Sequence, residues 1–535
     1  MTEPSAAGDV ASEAAGADAK RAGRGGVFVL GAKAFFIVTG LVQQTLLPAA
    51  IGLSDYGALS RVFAVSNVFN NVIVASSTQG VSRTTAAAGA RVKEALRATL
   101  RVHVGVTAVL VGLFLAAVPL VVWLQRAPDI GAPLVVMAGV LAVYGVYAPL
   151  VGFLNGSAQF GRQAALDITA ATLRTAGLVG VGFLFARRAG SLAASLGTTP
   201  GLLGASCGAV LAALGVFSLA LSWTGTGKGF TGARPEGVPA ARAYLAFIAP
   251  VMLAQLGTNG LMQADIFVLG RYASIAATAA PGLDDPSRAA NEWVGVYRAC
   301  QLFAFLPYQL LFAVTQILFP MLAKASKEGT RADVASLVAR GTRIGAIACG
   351  AMVSVIVAMP QSLIKLAYGA EIAARGASSL RVLAVGQAGF AILGLATTIL
   401  VSLGKELRAL AVTASALAFV VTAGIIAIPR ASFGADQLVV TAWATSVALG
   451  LALLVGAYLA HRAAGAFVPV KTAARVALAI VACAALGRFL PVLSKVLTPV
   501  VALGVGGVYC AALVLTGELG KKDVALVTSI LKRKR

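Results

Sequence analysis

Charged residues are scarce in this chain, and so are the residue types on which many enzyme active sites depend. Only 12% of the 535 residues are charged, and there are two histidines and five cysteines. The sequence contains no HExxH motif, no phosphate-binding loop and no paired-cysteine spacing. These absences argue against a zinc hydrolase, an ATPase and a structural metal protein. We therefore expect no enzyme activity, no cofactor and no metal.

The sequence consists mainly of apolar stretches, and hydrophobic residues make up 59% of it. About fourteen of these stretches have the length of roughly 20 residues that a helix needs to cross a bilayer. A segment inside a membrane must satisfy its own backbone hydrogen bonds, and these stretches carry glycine, proline and helix-forming residues. The sequence therefore predicts an all-α integral membrane protein.

The basic residues are distributed unevenly between the connections. Lysine and arginine total 43 against 20 acidic residues, which gives a net charge of +23. Arg91, Lys93 and Arg97 crowd one predicted inner loop, whereas the longest predicted outer loop holds Asp284 and Asp285. This distribution follows the positive-inside rule and predicts that both termini are cytoplasmic. Topology accounts for the basic excess, so we expect no nucleic-acid partner.

A weak internal repeat divides the apolar stretches into two halves. The segment Asp55-Tyr56-Gly57 opens the second span much as Glu292-Trp293-Val294 opens the eighth, six helices later. A repeat of six helices keeps its orientation in the membrane, so we expect two lobes related by an axis along the membrane normal. The predicted organisation is a disordered tail (1–25), a first lobe (26–224), a linker (225–241), a second lobe (242–462), a terminal helix pair (463–517) and a basic cytoplasmic tail (518–535).

Several short segments, in their order and spacing, resemble the multidrug/oligosaccharidyl-lipid/polysaccharide (MOP) exporter superfamily, in particular its repeat-unit flippases of the Wzx type. No single segment is specific, but together they cover the chain from about residue 25 onward. They are Leu53-Ser54-Asp55-Tyr56-Gly57, Asp265-Ile266-Phe267-Val268-Leu269-Gly270-Arg271-Tyr272, Val294-Gly295-Val296-Tyr297-Arg298, Leu318-Phe319-Pro320 and Tyr368-Gly369.

The resemblance implies the MOP flippase fold and a location in the bacterial inner membrane. It implies that the protein moves undecaprenyl-diphosphate-linked oligosaccharide repeat units to the periplasmic leaflet by alternating access, for exopolysaccharide, O-antigen or capsule biosynthesis. The expected partners are that lipid-linked glycan, membrane lipids, and a polysaccharide polymerase with its chain-length regulator, and the flippase itself is expected to be a monomer. Three alternatives stay open: a lipid II flippase, a cation-coupled multidrug antiporter and a membrane-embedded polysaccharide polymerase.

Ionisable residues inside apolar spans are costly and therefore need a role or a partner. We expect four of them to surround a cationic cavity that binds the diphosphate, because cations match its charge and arginine offers bidentate donors: Lys33, Arg61, Arg174 and Arg298. The alternative is that each snorkels to the nearer interface or neutralises an acid.

Two acids and five amides complete the predicted site. Asp167 and Asp265 are candidates for an ion-coupling site or for structural pairing, and for Asp265 we favour pairing with Arg298 or Arg271. The amides either line the cavity or bond neighbouring helices to one another: Gln43, Gln44, Asn67, Asn70 and Asn71. The two histidines, His103 and His461, are expected at the membrane interface, and Pro307 is expected to kink the eighth span.

Overall fold

The computed structural model describes residues 31–32, 35–224 and 240–520. Within these ranges the chain is helical between short connections, and no strand occurs. Lys33, the predicted tail at 1–25, nearly all of the predicted linker and most of the basic tail lie outside the described residues.

The chain divides into two compact units, residues 1–259 and 260–535. Six helices and the beginning of a seventh belong to the described part of the first unit. They are α1 (Phe35–Ile51), α2 (Leu53–Ala87), α3 (Val92–Gln125), α4 (Gly131–Gly156), α5 (Phe160–Arg188), α6 (Pro200–Thr224) and α7 (Ala241–Ala279), with a short helix at Gly190–Ser195. The boundary between the units falls inside α7, between Asn259 and Gly260.

The second unit continues from α7 with nine further helices in its described part. They are α8 (Pro286–Ala304), α9 (Leu306–Glu328), α10 (Arg331–Ala358), α11 (Pro360–Tyr368), α12 (Ala370–Ser402), α13 (Glu406–Ala427), α14 (Ala435–Ala464), α15 (Val470–Gly487) and α16 (Leu497–Leu515). The protein is thus a multi-pass membrane protein: twelve described helices are long and apolar enough to cross a bilayer, and α1 is a shorter apolar helix.

The eighth predicted span is broken in two. Helices α8 and α9 meet at Phe305, and Pro307 occupies the first turn of α9. Proline lacks a backbone donor and cannot continue the preceding helix, but it fits the first turn of a new one. The expected kink at Pro307 is therefore a helix break. The prediction of an all-α membrane protein is confirmed, whereas the predicted lobe and linker boundaries stay a prediction.

Each unit has apolar interiors of its own. In the first unit, Val81, Leu96, Leu154, Leu166 and Val216 bring α2 to α6 into one cluster. In the second, one cluster joins α7 and α12 to α14. Another, which includes Val476, Tyr509 and Leu513, joins α15 and α16 to the end of α10. Lipid is as apolar as these side chains, so close packing rather than escape from water holds such helices together.

Helix α5 contains a π-helical turn at Gly177–Val181. At its start, Gly177 lies against Gly208 of α6, and a Cβ atom at Gly177 would collide with the carbonyl oxygen of Gly208. Small residues allow two membrane helices to approach this closely, and π-helical turns are frequent near functional sites. The turn begins three residues after Arg174, so the surroundings of that side chain are a candidate functional site.

Candidate functional site

Arg174 lies inside the first unit, where α2, α4 and α5 meet. Its guanidinium is partly buried, and its central carbon lies 5.9 Å from the centre of the Phe63 ring. Tyr144 of α4 interacts electrostatically with both Arg174 and Asp167, and Tyr147 interacts with Asp167. The structure thus gathers a predicted cation and a predicted acid around two tyrosines.

The two tyrosines are members of this cluster that sequence reasoning missed. Their rings pack edge to face, with centres 5.4 Å apart and planes at 88°. The hydroxyl of Tyr147 is buried and makes no hydrogen bond within the part of the chain that the structure describes. Tyr144 and Tyr147 are three residues apart, which places them on one face of α4. This spacing is the feature of the sequence that could have identified them as a pair.

Arg61 is enclosed within the first unit, with 1% of its surface exposed. Asp129, between α3 and α4, interacts with it electrostatically. The guanidinium is therefore shielded from solvent in this conformation, and its role in substrate binding stays a prediction.

The predicted polar lining lies on α1 and α2, and two of its five residues bond to a neighbouring helix. Gln43 is buried, and Gln44 accepts a hydrogen bond of 2.9 Å from the Tyr56 hydroxyl. Asn71 donates to the side-chain oxygen of Asn259 at 2.6 Å, whereas Asn67 and Asn70 are half-buried on α2. Interhelical bonding accounts for Gln44 and Asn71 in this conformation.

Asp265 of α7 is the centre of a buried network in the second unit, with 4% of its surface exposed. Its carboxylate accepts hydrogen bonds from the Tyr297 hydroxyl at 2.9 Å, from the Gln301 amide at 2.9 Å to each oxygen, and from the backbone of Ile266 at 2.8 Å. Neutral donors therefore satisfy most of its bonding capacity.

Arg298 reaches this network through another side chain. It donates to the Gln301 side-chain oxygen at 3.0 Å, and Gln301 in turn bonds Asp265. Asp265 is thus linked to Arg298 through Gln301, and Arg298 also interacts electrostatically with the carboxylate. The favoured pairing of Asp265 with Arg298 or Arg271 stays a prediction. Depth in the membrane predicted the proximity of the two charges, but it carried no information about the neutral donors beside them.

The two histidines have different surroundings. His461 is exposed near the end of α14, whereas His103 on α3 is buried, with 1% of its surface exposed, and hydroxyl groups inside the first unit bond its ring. The expected position of both at the membrane interface stays a prediction. Among the described residues, no group of three or more His, Cys, Asp or Glu side chains is arranged to hold a metal ion.

Comparison with known proteins supports a transporter fold. No family model matches the sequence, and no curated protein matches it. The solved structure of the lipid II flippase MurJ in an inward closed conformation matches with a TM-score of 0.68 at 12% identity, over 91% of this chain and 97% of that one.

Two structures of multidrug-resistance MATE transporters of the MOP superfamily also match. The inward-facing one gives a TM-score of 0.57 at 16% identity, over 80% of this chain and 95% of its own. The outward-facing one gives a TM-score of 0.56 at 15% identity, over 83% of this chain and 96% of its own. The chain has the fold of MOP-superfamily transporters. These neighbours are a flippase and transporters rather than enzymes, and at such low identity the likeness concerns the MOP fold alone.

Proposed function

We propose that this protein is a flippase that moves undecaprenyl-diphosphate-linked oligosaccharide repeat units from the cytoplasmic to the periplasmic leaflet by alternating access. The observation that carries the proposal is the Arg174 cluster, which lies inside a MOP-fold unit. Tyr144 interacts with both Arg174 and Asp167, Tyr147 packs on Tyr144, and a π-helical turn follows Arg174. A partly buried cation inside an apolar span needs a function or a partner, and we assign it a function.

The chemistry of the cluster suits a diphosphate that carries sugars. A diphosphate that leaves bulk water needs its negative charge matched, and a guanidinium can bond two of its oxygens at once. The buried Tyr147 hydroxyl is a further donor or acceptor for a sugar hydroxyl or a phosphate oxygen. Arg174 would bind the head group, while Tyr144 and Tyr147 would orient it.

A cation-coupled multidrug antiporter fits these residues less well. An antiporter would need central carboxylates that are available to a cation. Asp265 is already bonded by Tyr297, Gln301 and a backbone amide. Asp167 belongs to the Arg174 cluster, where the guanidinium charge disfavours a second cation. A membrane polymerase is disfavoured because the structural neighbours are transporters.

Lipid II is the second candidate cargo, and a specific observation favours it. The alignment with the MurJ structure covers 91% of this chain, whereas the alignments with the two MATE structures cover 80% and 83% of it. Lipid II presents a diphosphate on a polyprenyl tail as well, so Arg174 would serve either cargo. The two cargoes differ in the sugar portion.

The test is transport in proteoliposomes that contain the purified protein. A fluorescent undecaprenyl-diphosphate oligosaccharide is placed in one leaflet, and its arrival in the other is measured by cleavage with a glycosidase that cannot cross the membrane. Labelled lipid II is assayed in parallel. We expect the oligosaccharide lipid to move; movement of lipid II alone would replace the proposal with the second candidate, and movement of neither would overturn both.

The contribution of Arg174 is tested by Arg174→Ala in the same assay. We expect the transport rate to fall by roughly tenfold or more, because a charge-assisted hydrogen bond is worth about 1.5–3 kcal/mol. Arg188→Ala is the matched control, since Arg188 ends the same helix and is exposed. Equal rates for both variants would remove Arg174 from the binding site.

A further inference from the structure

The His103 ring lies between two hydroxyl groups on two other helices. The Ser77 hydroxyl of α2 is 3.0 Å from Nδ1, and the Tyr244 hydroxyl of α7 is 2.5 Å from Nε2. All three side chains are buried, with exposed fractions of 0% for Ser77, 1% for His103 and 3% for Tyr244. In the described part of the chain these hydroxyls are the hydrogen-bond partners of the ring, and they join α2, α3 and α7 within the first unit.

The position of Tyr244 is built into the helices around it. Its ring packs edge to face on the His103 ring, with centres 5.4 Å apart and planes at 89°. Gly80, one turn after Ser77 on α2, leaves space for the Tyr244 hydroxyl, and a Cβ atom there would collide with it. The contact between Tyr244 and His103 therefore requires glycine at position 80 of α2.

Two further contacts tie the same part of α7 to α2. The Arg83 guanidinium lies 4.3 Å from the centre of the Phe247 ring, and Asn71 donates to Asn259. From Tyr244 to Asn259 this seam extends along α7 for roughly 22 Å at the helical rise per residue. We call it the α2–α7 seam. Because polar groups recur along it, water could replace its hydrogen bonds without leaving an unsatisfied atom.

The hydroxyl partners allow the ring to gain a proton without losing a hydrogen bond. A neutral imidazole has one N–H donor and one acceptor nitrogen, so one hydroxyl accepts from it and the other donates to it. When a proton binds the acceptor nitrogen, that hydroxyl rotates and accepts instead. Serine and tyrosine hydroxyls can both do so, and no covalent bond other than the new N–H is formed.

No carboxylate is a hydrogen-bond partner of the ring among the described residues. Along the described helices, the ionisable residues nearest in sequence to these contacts are cations or tyrosines: Arg83 on α2, Arg101 on α3, Tyr147 on α4, and Arg242 with Tyr244 on α7. Burying an imidazolium without a carboxylate partner costs several kcal/mol. A conformation in which water reaches the ring would hold the proton more readily.

We infer that His103 is a proton-binding site, and that its protonation releases the first turns of α7 from α2 and α3 by admitting water to the α2–α7 seam. The ligand is a proton. In the transport cycle this would link proton uptake to the opening of one seam of the first unit, and that link rests on the proposed function. The proton site itself requires no cargo.

The release of α7 from α2 and α3 can be measured by amide hydrogen exchange of residues 241–259, with the protein in lipid nanodiscs. We expect exchange in the wild type, corrected for the intrinsic effect of pH, to rise between about pH 8 and about pH 5.5, by at most tenfold per pH unit, the limit for one proton. His103→Gln keeps a neutral donor and acceptor in the ring's place but binds no proton, so its corrected exchange should stay flat. His461→Gln removes the other histidine of the chain and should behave like the wild type.

A second measurement follows the proton itself. In ¹⁵N-histidine-labelled His461→Gln protein, His103 is the one remaining histidine, and its nitrogen shifts report protonation. We expect exchange to begin to rise at a higher pH than that at which most rings carry the proton, because the opened conformation binds the proton more readily than the closed one. Tyr244→Phe should raise exchange at every pH, because the hydroxyl that holds α7 is missing.

Three outcomes would overturn the inference: flat exchange in the wild type, an equal rise in His103→Gln, or a ring that gains its proton with no change in exchange. The melting midpoint of His103→Gln is compared with that of the wild type to check that this variant folds. If its midpoint is lower, the inference is judged from protonation and exchange in the labelled His461→Gln protein. Because neither readout uses a lipid-linked sugar, failure here is distinguishable from failure of the proposed cargo.

Discussion

Arg343 and Glu518 are 175 residues apart in sequence, yet Nε of Arg343 lies 2.8 Å from Oε1 of Glu518. The same carboxylate bonds Arg475 at 3.0 Å and the Thr472 hydroxyl at 2.7 Å. Glu518 follows the end of α16, whereas Arg343 belongs to α10, and Thr472 and Arg475 belong to α15. This carboxylate therefore fastens both terminal helices to α10. The bond of 2.9 Å from the Tyr509 hydroxyl to the backbone of Ile347 joins α16 to α10 a second time.

Replacing Glu518 with glutamine should destabilise the protein by about 1–3 kcal/mol, because two arginines lose a charged acceptor. The measurement is the thermal unfolding midpoint in detergent. Glu328→Gln is the matched control, since Glu328 pairs with Lys324 at 3.7 Å with both side chains exposed, and exposed pairs contribute little. Equal midpoints for the two variants would contradict a structural role for the Glu518 contacts.

The Glu518 contacts also predict a pH dependence. Burial alone would raise the pKa of the Glu518 carboxyl, but hydrogen bonds from Thr472, Arg343 and Arg475 outweigh burial and hold the pKa below its ordinary value of 4.5. The stabilisation should therefore be complete above about pH 4.5 and disappear as the pH falls through the lower value in the folded protein. Midpoints of the wild type and Glu518→Gln, measured from about pH 7 to pH 3, should converge on acidification. A constant difference would contradict this assignment.

Asp265→Asn separates a structural role from ion coupling. The new amide nitrogen would face the donating amide of Gln301, so we expect a loss of about 1–3 kcal/mol. Tyr297→Phe removes a single donor and should cost about 1 kcal/mol. Unfolding midpoints that fall in this order support a structural carboxylate. Normal midpoints together with transport that no longer responds to an ion gradient would instead assign ion coupling to Asp265.

Two glycines of the π-helical turn in α5 should respond in opposite ways to alanine. Gly177→Ala would force a methyl group against the Gly208 carbonyl and should cost about 1–3 kcal/mol. Nothing lies within 4 Å of a Cβ atom at Gly180, so Gly180→Ala should be neutral or slightly stabilising, since alanine favours helix. Thermal midpoints of the two variants provide the comparison, and a similar fall in both would indicate that the backbone of the turn, rather than the contact with α6, is sensitive.

Arg375→Lys tests a stacked arginine in the second unit. The Arg375 guanidinium lies 4.1 Å from the Trp293 ring centre, and it pairs with Glu292 at 3.7 Å and Glu371 at 3.4 Å. Lysine keeps the charge but loses the planar stacking, so we expect a loss of about 1 kcal/mol in stability. Arg288→Lys is the control, because Arg288 pairs with Glu292 while 69% exposed. An unchanged midpoint for Arg375→Lys would show that charge alone is needed there.

The sequence predicted the all-helical membrane fold well, because length and continuous hydrophobicity determine which segments can span a bilayer. It predicted about fourteen spans, whereas twelve of the described helices are long and apolar enough to cross and α1 is shorter. The sequence predicted a kink at Pro307, and the regular helix is interrupted two residues earlier, at Phe305, although the apolar pattern continues there. The site was predictable only in part. Arg174 and Asp167 could be named because charges are rare in such spans, whereas Tyr144 and Tyr147 belong to an ordinary apolar helix. Which donors meet Asp265 or His103 depends on the rotation of helices that are far apart in sequence, and a single sequence carries little of that information.

The π-helical turn at Gly177–Val181 is a position at which α5 can lose one residue without a change in the direction of the residues that follow. Hydrogen bonds in such a turn span one residue more than those of an α-helix, so the turn holds one extra residue. Deleting one residue there would restore regular α-helical spacing and leave Arg187 and Arg188 facing as they do now. The same deletion elsewhere in the helix would rotate everything beyond it by about 100°. This turn is therefore where a homologue with a shorter α5 should align with a one-residue gap.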